Sequence, residues 1–195
     1  MDLFSFIATV IFISLSGVLM PGPIFATAIL EGKSNKHAGI FIAGGHAIVE
    51  IPLIIILFLI GKIELGNNLK SLIGISGGFF LIYFALSVLK EKEAKPVRGM
   101  FAGIVLSSLN PYFIMWWITV GFTLAIKANS FGIVGIASLL FFHESCDFLW
   151  YEFLSFASNH GMKFKKAEKI AKITSFSILM FFGFYFVYDG IKVIM

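Results

Sequence analysis

Residues 3–30 read LFSFIATVIFISLSGVLMPGPIFATAIL. The stretch carries no charged side chain, and Pro-Gly-Pro interrupts it at 21–23. A helix that crosses a bilayer needs about 20 apolar residues, range about 17–25. This run is long enough to span even with a break inside it. Each proline removes a backbone donor and clashes with the preceding turn, and Gly22 between them offers backbone angles closed to other residues. The helix is therefore expected to break at Pro21, Gly22 and Pro23, freeing carbonyls on one side and amides on the other. The amide end is the positive end of a helix dipole and attracts a carboxylate. The alternative is a structural kink, or the end of the first segment with 24–30 lying at the interface.

The rest of the chain repeats this pattern. Of its 195 residues 58% are hydrophobic and 13% charged, and the mean hydropathy is +0.95. Soluble domains carry roughly a quarter charged residues, so lipid rather than water is the expected solvent for most of the surface. Phenylalanine accounts for 24 residues, and its ring has no polar atom to satisfy against acyl chains. Six hydrophobic segments follow one another: Leu3–Leu30, Ala38–Ile60, Leu72–Leu89, Met100–Ile126, Phe131–Ala157 and Ile173–Met195. Lipid offers no partner to backbone groups, and no alternating ten-residue pattern suggests a barrel, so an all-α polytopic membrane protein is expected. The connections are short, and a single transmembrane domain over 1–195 is expected. The opening MDLFSFIATV lacks a basic n-region and is read as the first membrane helix rather than a removable signal. The lone Cys146 forms no intramolecular disulfide or CxxC pair.

The formal net charge of +4 raises the question of nucleic acid, but the lysines sit in short loops between apolar runs. Loops 1–2, 3–4 and 5–6 hold eleven basic residues: Lys33, Lys36, Lys90, Lys92, Lys95, Arg98, Lys163, Lys165, Lys166, Lys169 and Lys172. The other side holds four, Lys62, Lys70, Lys127 and Lys192. That asymmetry places the first group in the cytoplasm, both termini outside, and the protein in the cytoplasmic membrane, in contact with anionic lipid rather than nucleic acid. A re-entrant first segment would leave five spans.

Polar groups inside the apolar segments mark candidate chemistry. Asn110 and Pro111 interrupt segment 4, and Asn110 could bond carbonyls freed by Pro111 or offer its amide to a substrate. Trp116 and Trp117 follow as interface anchors or cavity wall. His46 and Glu50 lie four apart in segment 2, and His143 and Asp147 four apart in segment 5, beside Glu144. A charge at the bilayer centre costs about 2.5–3.5 kcal/mol on insertion scales, so these groups should face the bundle interior or water. Proton relay and substrate binding are the functional options, and a pair that only locks helix packing is the other. Glu152 is expected nearer the membrane surface. The broken segments 1 and 4 and the matched His–acid pairs suggest two inverted three-helix repeats, about 1–90 and 98–195, a layout of secondary transporters. Glycines at 39, 44, 45, 74, 77, 78, 183 and 190 suit close helix packing, and leave hinges or a homodimer face as further options.

Pro-Gly-Pro near the end of segment 1, the spaced Gly32, Gly39 and Gly44, an acid in segment 2, and Asn-Pro followed by a Trp-rich stretch in segment 4 resemble the lysine exporter family (LysE/RhtB type) over nearly the whole chain. The resemblance implies a proton-driven exporter of amino acids or related small molecules. It implies substrate contacts at Pro21, Gly22, Pro23, Asn110 and Pro111, and proton coupling at Glu50 and Asp147. The chain departs from the pattern in having Glu50 where aspartate is frequent, and Tyr112 where a lysine is common after Asn-Pro. His46, His143 and Glu144 join the proton-coupling candidates from their placement. No cofactor and no enzyme activity are expected. The alternatives are a divalent metal cation exporter, since His46, Glu50, His143, Glu144 and Asp147 are plausible ligands, and an intramembrane metalloenzyme. The latter rests on His143-Glu144-Ser145-Cys146-Asp147, one residue away from HExxH.

Overall fold

A computed structural model describes residues 2–20, 22–61 and 98–161, with individual helical residues between 71 and 86 and between 173 and 192. The helices are α1 (Leu3–Val18), α2 (Pro23–Gly32), α3 (Ala38–Ile60), α4 (Gly99–Ser108), α5 (Pro111–Trp116), α6 (Phe122–Asn129) and α7 (Gly132–Asn159). A π-helical turn, Trp117–Gly121, joins α5 to α6. Among the described residues there is no strand. Loop 3–4 up to residue 97, loop 5–6 from residue 162, Pro21 and Asp189 lie outside the described residues.

Local chemistry fixes the ends. Asp2 caps α1, its carboxylate accepting from the Ser5 amide at 2.8 Å and the Ser5 hydroxyl at 3.0 Å, which holds that carboxyl below the usual carboxylate range. Pro23 opens α2 at a position where its missing N–H costs nothing. Gly99 and Gly132 start α4 and α7 with φ of +56° and +57°, a left-handed conformation that favours glycine.

Two helices, α3 and α7, are each long and apolar enough to cross a membrane. At 1.5 Å per residue, a 23-residue helix such as α3 is about 35 Å long, against a hydrocarbon core of about 30 Å. Two bent pairs add up to two further spans: α1 with α2 at 78°, and α4 with the run 112–129 at 63°. Contacts at both ends show how far each pair reaches. At one end the Glu31 carboxylate accepts from the Gly99 amide at 2.8 Å, Asn159 Nδ2 donates to the Gly32 carbonyl at 3.0 Å, and His37 meets Glu152 at 2.6 Å. At the other, the rings of Phe6 and Phe131 lie 5.3 Å apart, and Asn129 Nδ2 donates to the Phe58 carbonyl at 3.0 Å. Both bent pairs therefore run from one end of the bundle to the other. These contacts group residues 31–37, 98–99 and 159–160 at one end of the bundle.

Small residues set the spacing. A Cβ on Gly45 would collide with the Met100 carbonyl, one on Gly103 with the Ile42 carbonyl, and one on Gly39 with the Tyr151 carbonyl. Gly78 meets the Gly183 carbonyl, and Gly190 meets Ile75, so segments 3 and 6 touch through the same device. These glycines face neighbours within the chain. Helix α7 is inside-out relative to a soluble helix. His143, Glu144, Asp147 and Tyr151 are buried, whereas Phe141, Leu149 and Phe153 are exposed, Leu149 by 73%. An outward wall of large apolar side chains fits a lipid solvent.

Candidate functional site

The two helix breaks and the ionisable residues converge at mid-height. Glu50 lies near the centre of α3, and Asp147 near the centre of α7. A cavity of about 60 Å³ there is lined by Gly22, Pro23, Ile24 and Phe25 from the first break, Asn110, Tyr112 and Phe113 from the second, and His46, Glu50, Trp117, His143, Asp147 and Tyr151. One water needs about 10–15 Å³ measured in this way, so the space takes a few waters or a small charged head group.

Each break has its own construction. Gly22 has φ −128° and ψ −167°, extended backbone that any residue adopts, and a Cβ there would meet nothing within 4 Å. The expectation that Gly22 supplies glycine-only angles is therefore wrong. Its missing side chain instead leaves the cavity wall open. Carbonyls freed at the end of α1 are partly taken up: Leu19 N donates to Leu15 O at 3.1 Å, and the Tyr112 hydroxyl to Ser16 O at 3.3 Å. At the second break the carbonyl freed by Pro111, Ser107 O, accepts from the Asn110 backbone amide at 3.1 Å, while the Asn110 side chain faces the other way. Its Oδ1 accepts from the Tyr112 amide at 3.0 Å and caps α5, an ordinary N-cap. The cap uses the oxygen only, and the residue still lines the cavity.

The acids and histidines form one cluster. Glu50 Oε1 lies 3.2 Å from His46 Nε2 and 3.3 Å from His143 Nε2, and accepts from the Trp117 indole N–H at 2.8 Å. Asp147 presents Oδ2 to His143 Nε2 at 3.5 Å and Oδ1 to His46 Nε2 at 3.8 Å. Glu50 is 2% exposed and Asp147 1%. The outer ring nitrogens rest on serines: His143 Nδ1 on Ser14 Oγ at 2.6 Å, and His46 Nδ1 on Ser107 Oγ at 2.5 Å. Gly121 gives the Trp117 ring its place, since a Cβ at 121 would overlap the indole. The π-helical turn beginning at Trp117 aims that ring at Glu50, and such turns recur at functional sites.

Of the residues singled out in the sequence, Gly22, Pro23, His46, Glu50, Asn110, His143 and Asp147 line this cavity. Pro111 is the first residue of α5, and Pro21 lies outside the described residues. Glu144 is buried beside the cluster without lining the cavity, and neither of its oxygens has a hydrogen-bond partner among the described residues. Glu152 sits at the bundle end with His37. Trp116 and Trp117 are buried wall rather than interface anchors. Ser14, Ser107 and Tyr151 carried no signal in the sequence, because a hydroxyl in an apolar segment more often bonds its own helix.

A protein-family model described as LysE type translocator matches residues 15–190. The chain belongs to the LysE type translocator family. No curated protein and no solved structure matches it. Membership makes this chain a membrane translocator with a small-molecule substrate, and it agrees with the all-helical, apolar-walled bundle. In this LysE type translocator the match runs through α2 to α7 and both breaks, so the cavity lies wholly inside the family region.

Proposed function

We propose that the protein is a secondary exporter of amino acids or related small metabolites across the cytoplasmic membrane, coupled to inward proton movement. The observation that carries this reading is the single cavity into which two helix breaks and four ionisable side chains open together. At the first break Ile24 and Phe25, in the first turn of α2 after Pro23, line the cavity, and the amide end of a helix suits a substrate carboxylate. Glu50 and Asp147 then face its ammonium group, and the same carboxyls carry the coupling proton, with His46, His143 and Glu144 beside them. The cavity admits the head group of an amino acid, and a large side chain requires the two broken spans to part.

The proposed architecture is one domain over 1–195 of six spans, in two inverted halves. Support comes from one broken span in each half and from the paired spacings His46–Glu50 and His143–Asp147. The arms of the two broken spans run in opposite order, 16 then 10 residues in the first and 10 then a longer arm in the second. The symmetry is thus proposed for the breaks and pairs and not for the arm lengths. The end of the bundle where 31–37, 98–99 and 159–160 meet is the proposed cytoplasmic side, since the basic loops start there.

Proteoliposomes loaded with mixed amino acids and given an inward proton gradient test the function. Mass spectrometry of the external medium should show a subset of amino acids leaving faster than in protein-free vesicles. Equal release with and without the gradient for every compound would contradict the coupling.

A further inference from the structure

The hydrogen bonds around the two histidines decide where their protons lie. Ser14 Oγ donates to the Val10 carbonyl at 2.7 Å, and Ser107 Oγ donates to the Gly103 carbonyl at 2.5 Å. A carbonyl only accepts, so each hydroxyl directs its one proton there and is left to accept from the histidine. His143 and His46 therefore both carry a proton on Nδ1. In the neutral tautomer so fixed, both Nε2 atoms hold lone pairs, and both point at Glu50 Oε1 and Asp147.

A lone pair and a carboxylate oxygen at 3.2–3.8 Å repel each other unless a cation lies between them, which is either a proton on Nε2 or a metal ion held by both groups. Asp147 Oδ2 and Glu50 Oε2 have no hydrogen-bond partner among the described residues, and both side chains are almost fully buried. The ligand atoms of His46, Glu50 and Asp147 lie within 4.8 Å of one another. In a tetrahedral zinc-type site, metal–ligand distances of about 2.0–2.2 Å put neighbouring ligand atoms about 3.3–3.6 Å apart. The two separations that share Glu50 Oε1, 3.2 Å to His46 and 3.3 Å to His143, fall at or near that edge length, whereas Asp147 meets the histidines with different oxygens, Oδ2 at 3.5 Å and Oδ1 at 3.8 Å, and its carboxyl must turn to bring one oxygen to both. The outer layer matches as well. Metal-bound histidines donate their second N–H to a fixed acceptor, and ligating carboxylates are themselves hydrogen-bonded; here the two serines and the Trp117 indole fill those places.

We propose that His46, His143, Glu50 and Asp147 form a binding site for one borderline divalent transition-metal ion, of which Zn²⁺ and Co²⁺ are the representatives. Two imidazole nitrogens and two carboxylate oxygens are a donor set for such ions rather than for Mg²⁺ or Ca²⁺, which prefer all-oxygen shells. The site opens to the cavity through these same four side chains. The proposal rests on the side-chain geometry alone; a bound ion takes the same carboxylates that face the substrate ammonium and carry the coupling proton, so the ion competes with both.

The test is Co²⁺ titration of the purified, chelator-treated protein in nanodiscs, read by visible absorption and by metal analysis after desalting. One Co²⁺ per chain with the intense d–d bands of tetrahedral coordination, displaced by Zn²⁺ and not by Mg²⁺, is expected. His143→Asn keeps a side-chain N–H for Ser14 while removing Nε2, and should abolish the bands. Ser14→Ala retains all four ligands and should weaken binding about 10–100-fold, which serves if His143→Asn does not fold. Absence of stoichiometric Co²⁺ in monodisperse wild-type protein, weak octahedral bands, or His143→Asn and Ser14→Ala proteins that both bind like wild type would overturn the proposal. Amino-acid efflux measured on the same preparation separates the outcomes, because loss of export with intact Co²⁺ bands rejects only the exporter reading, and the converse rejects only the metal site.

Discussion

At the scale of the residue, the informative contact is Trp117 with Glu50. The indole N–H is a fixed donor to a carboxyl group 2% exposed, and a buried hydrogen bond to a charged group is worth about 1.5–3 kcal/mol. A double-mutant cycle between Trp117→Phe and Glu50→Leu isolates that term. The cycle should give a coupling energy of about 1.5–3 kcal/mol in reversible detergent unfolding, and a value near zero would mean that the indole only fills space. Glu50 and Asp147 stood out in the sequence because an acid in an apolar segment is costly unless it faces the interior. That argument places a side chain inside the bundle, but it does not name its partners. Trp117 was visible only as one of two adjacent tryptophans, since the turn of helix that aims it at Glu50 depends on a π-helical irregularity that periodicity does not reveal. The serines behind the histidines were silent for a different reason. Their hydroxyls bond their own helices, as most such serines do, and only the fold brings a ring nitrogen to them.

At the scale of the element, helix spacing rests on glycines that meet backbone. A Cβ on Gly103 would collide with the Ile42 carbonyl and lie 2.6 Å from the His46 amide, and neither backbone group can rotate away. Gly103→Val should therefore part α3 from α4, costing about 1–3 kcal/mol or more as overpacking does, and should disturb the His46 end of the cluster. Gly44→Ala is the control, because its Cβ meets only the flexible tip of Met100 at 3.7 Å. Thermal unfolding should drop by several degrees for the first and stay near wild type for the second, and equal behaviour of the pair would contradict the close packing. The helices themselves were legible from apolar runs: α3 has the bounds expected, and α7 is displaced from its expected limits by one or two residues. Both breaks were legible from proline, whose chemistry is local. The role given to Gly22 was not, since an extended glycine and a left-handed one look alike in a sequence.

At the scale of the whole molecule, two long apolar helices and two bent helix pairs place both breaks, both histidines and both acids around one cavity at mid-height. The composition already excluded a soluble fold, and the basic loops predicted which connections share an end. The contacts Glu31–Gly99 and Gly32–Asn159 put the described parts of those loops together. Sequence could suggest that the breaks meet the acids, but packing between helices far apart in sequence fixes how residues 22, 50, 110 and 147 surround the cavity. The central claim is that this cavity couples export to protons through Glu50 and Asp147. Its most direct measurement is pH-driven amino-acid efflux from proteoliposomes containing the Glu50→Gln, Asp147→Asn double variant, compared with wild type at equal incorporated, monodisperse protein. The amides keep size and hydrogen bonding and cannot release a proton. The account predicts that gradient-driven efflux falls to the level of protein-free vesicles, while efflux at the wild-type rate would contradict it.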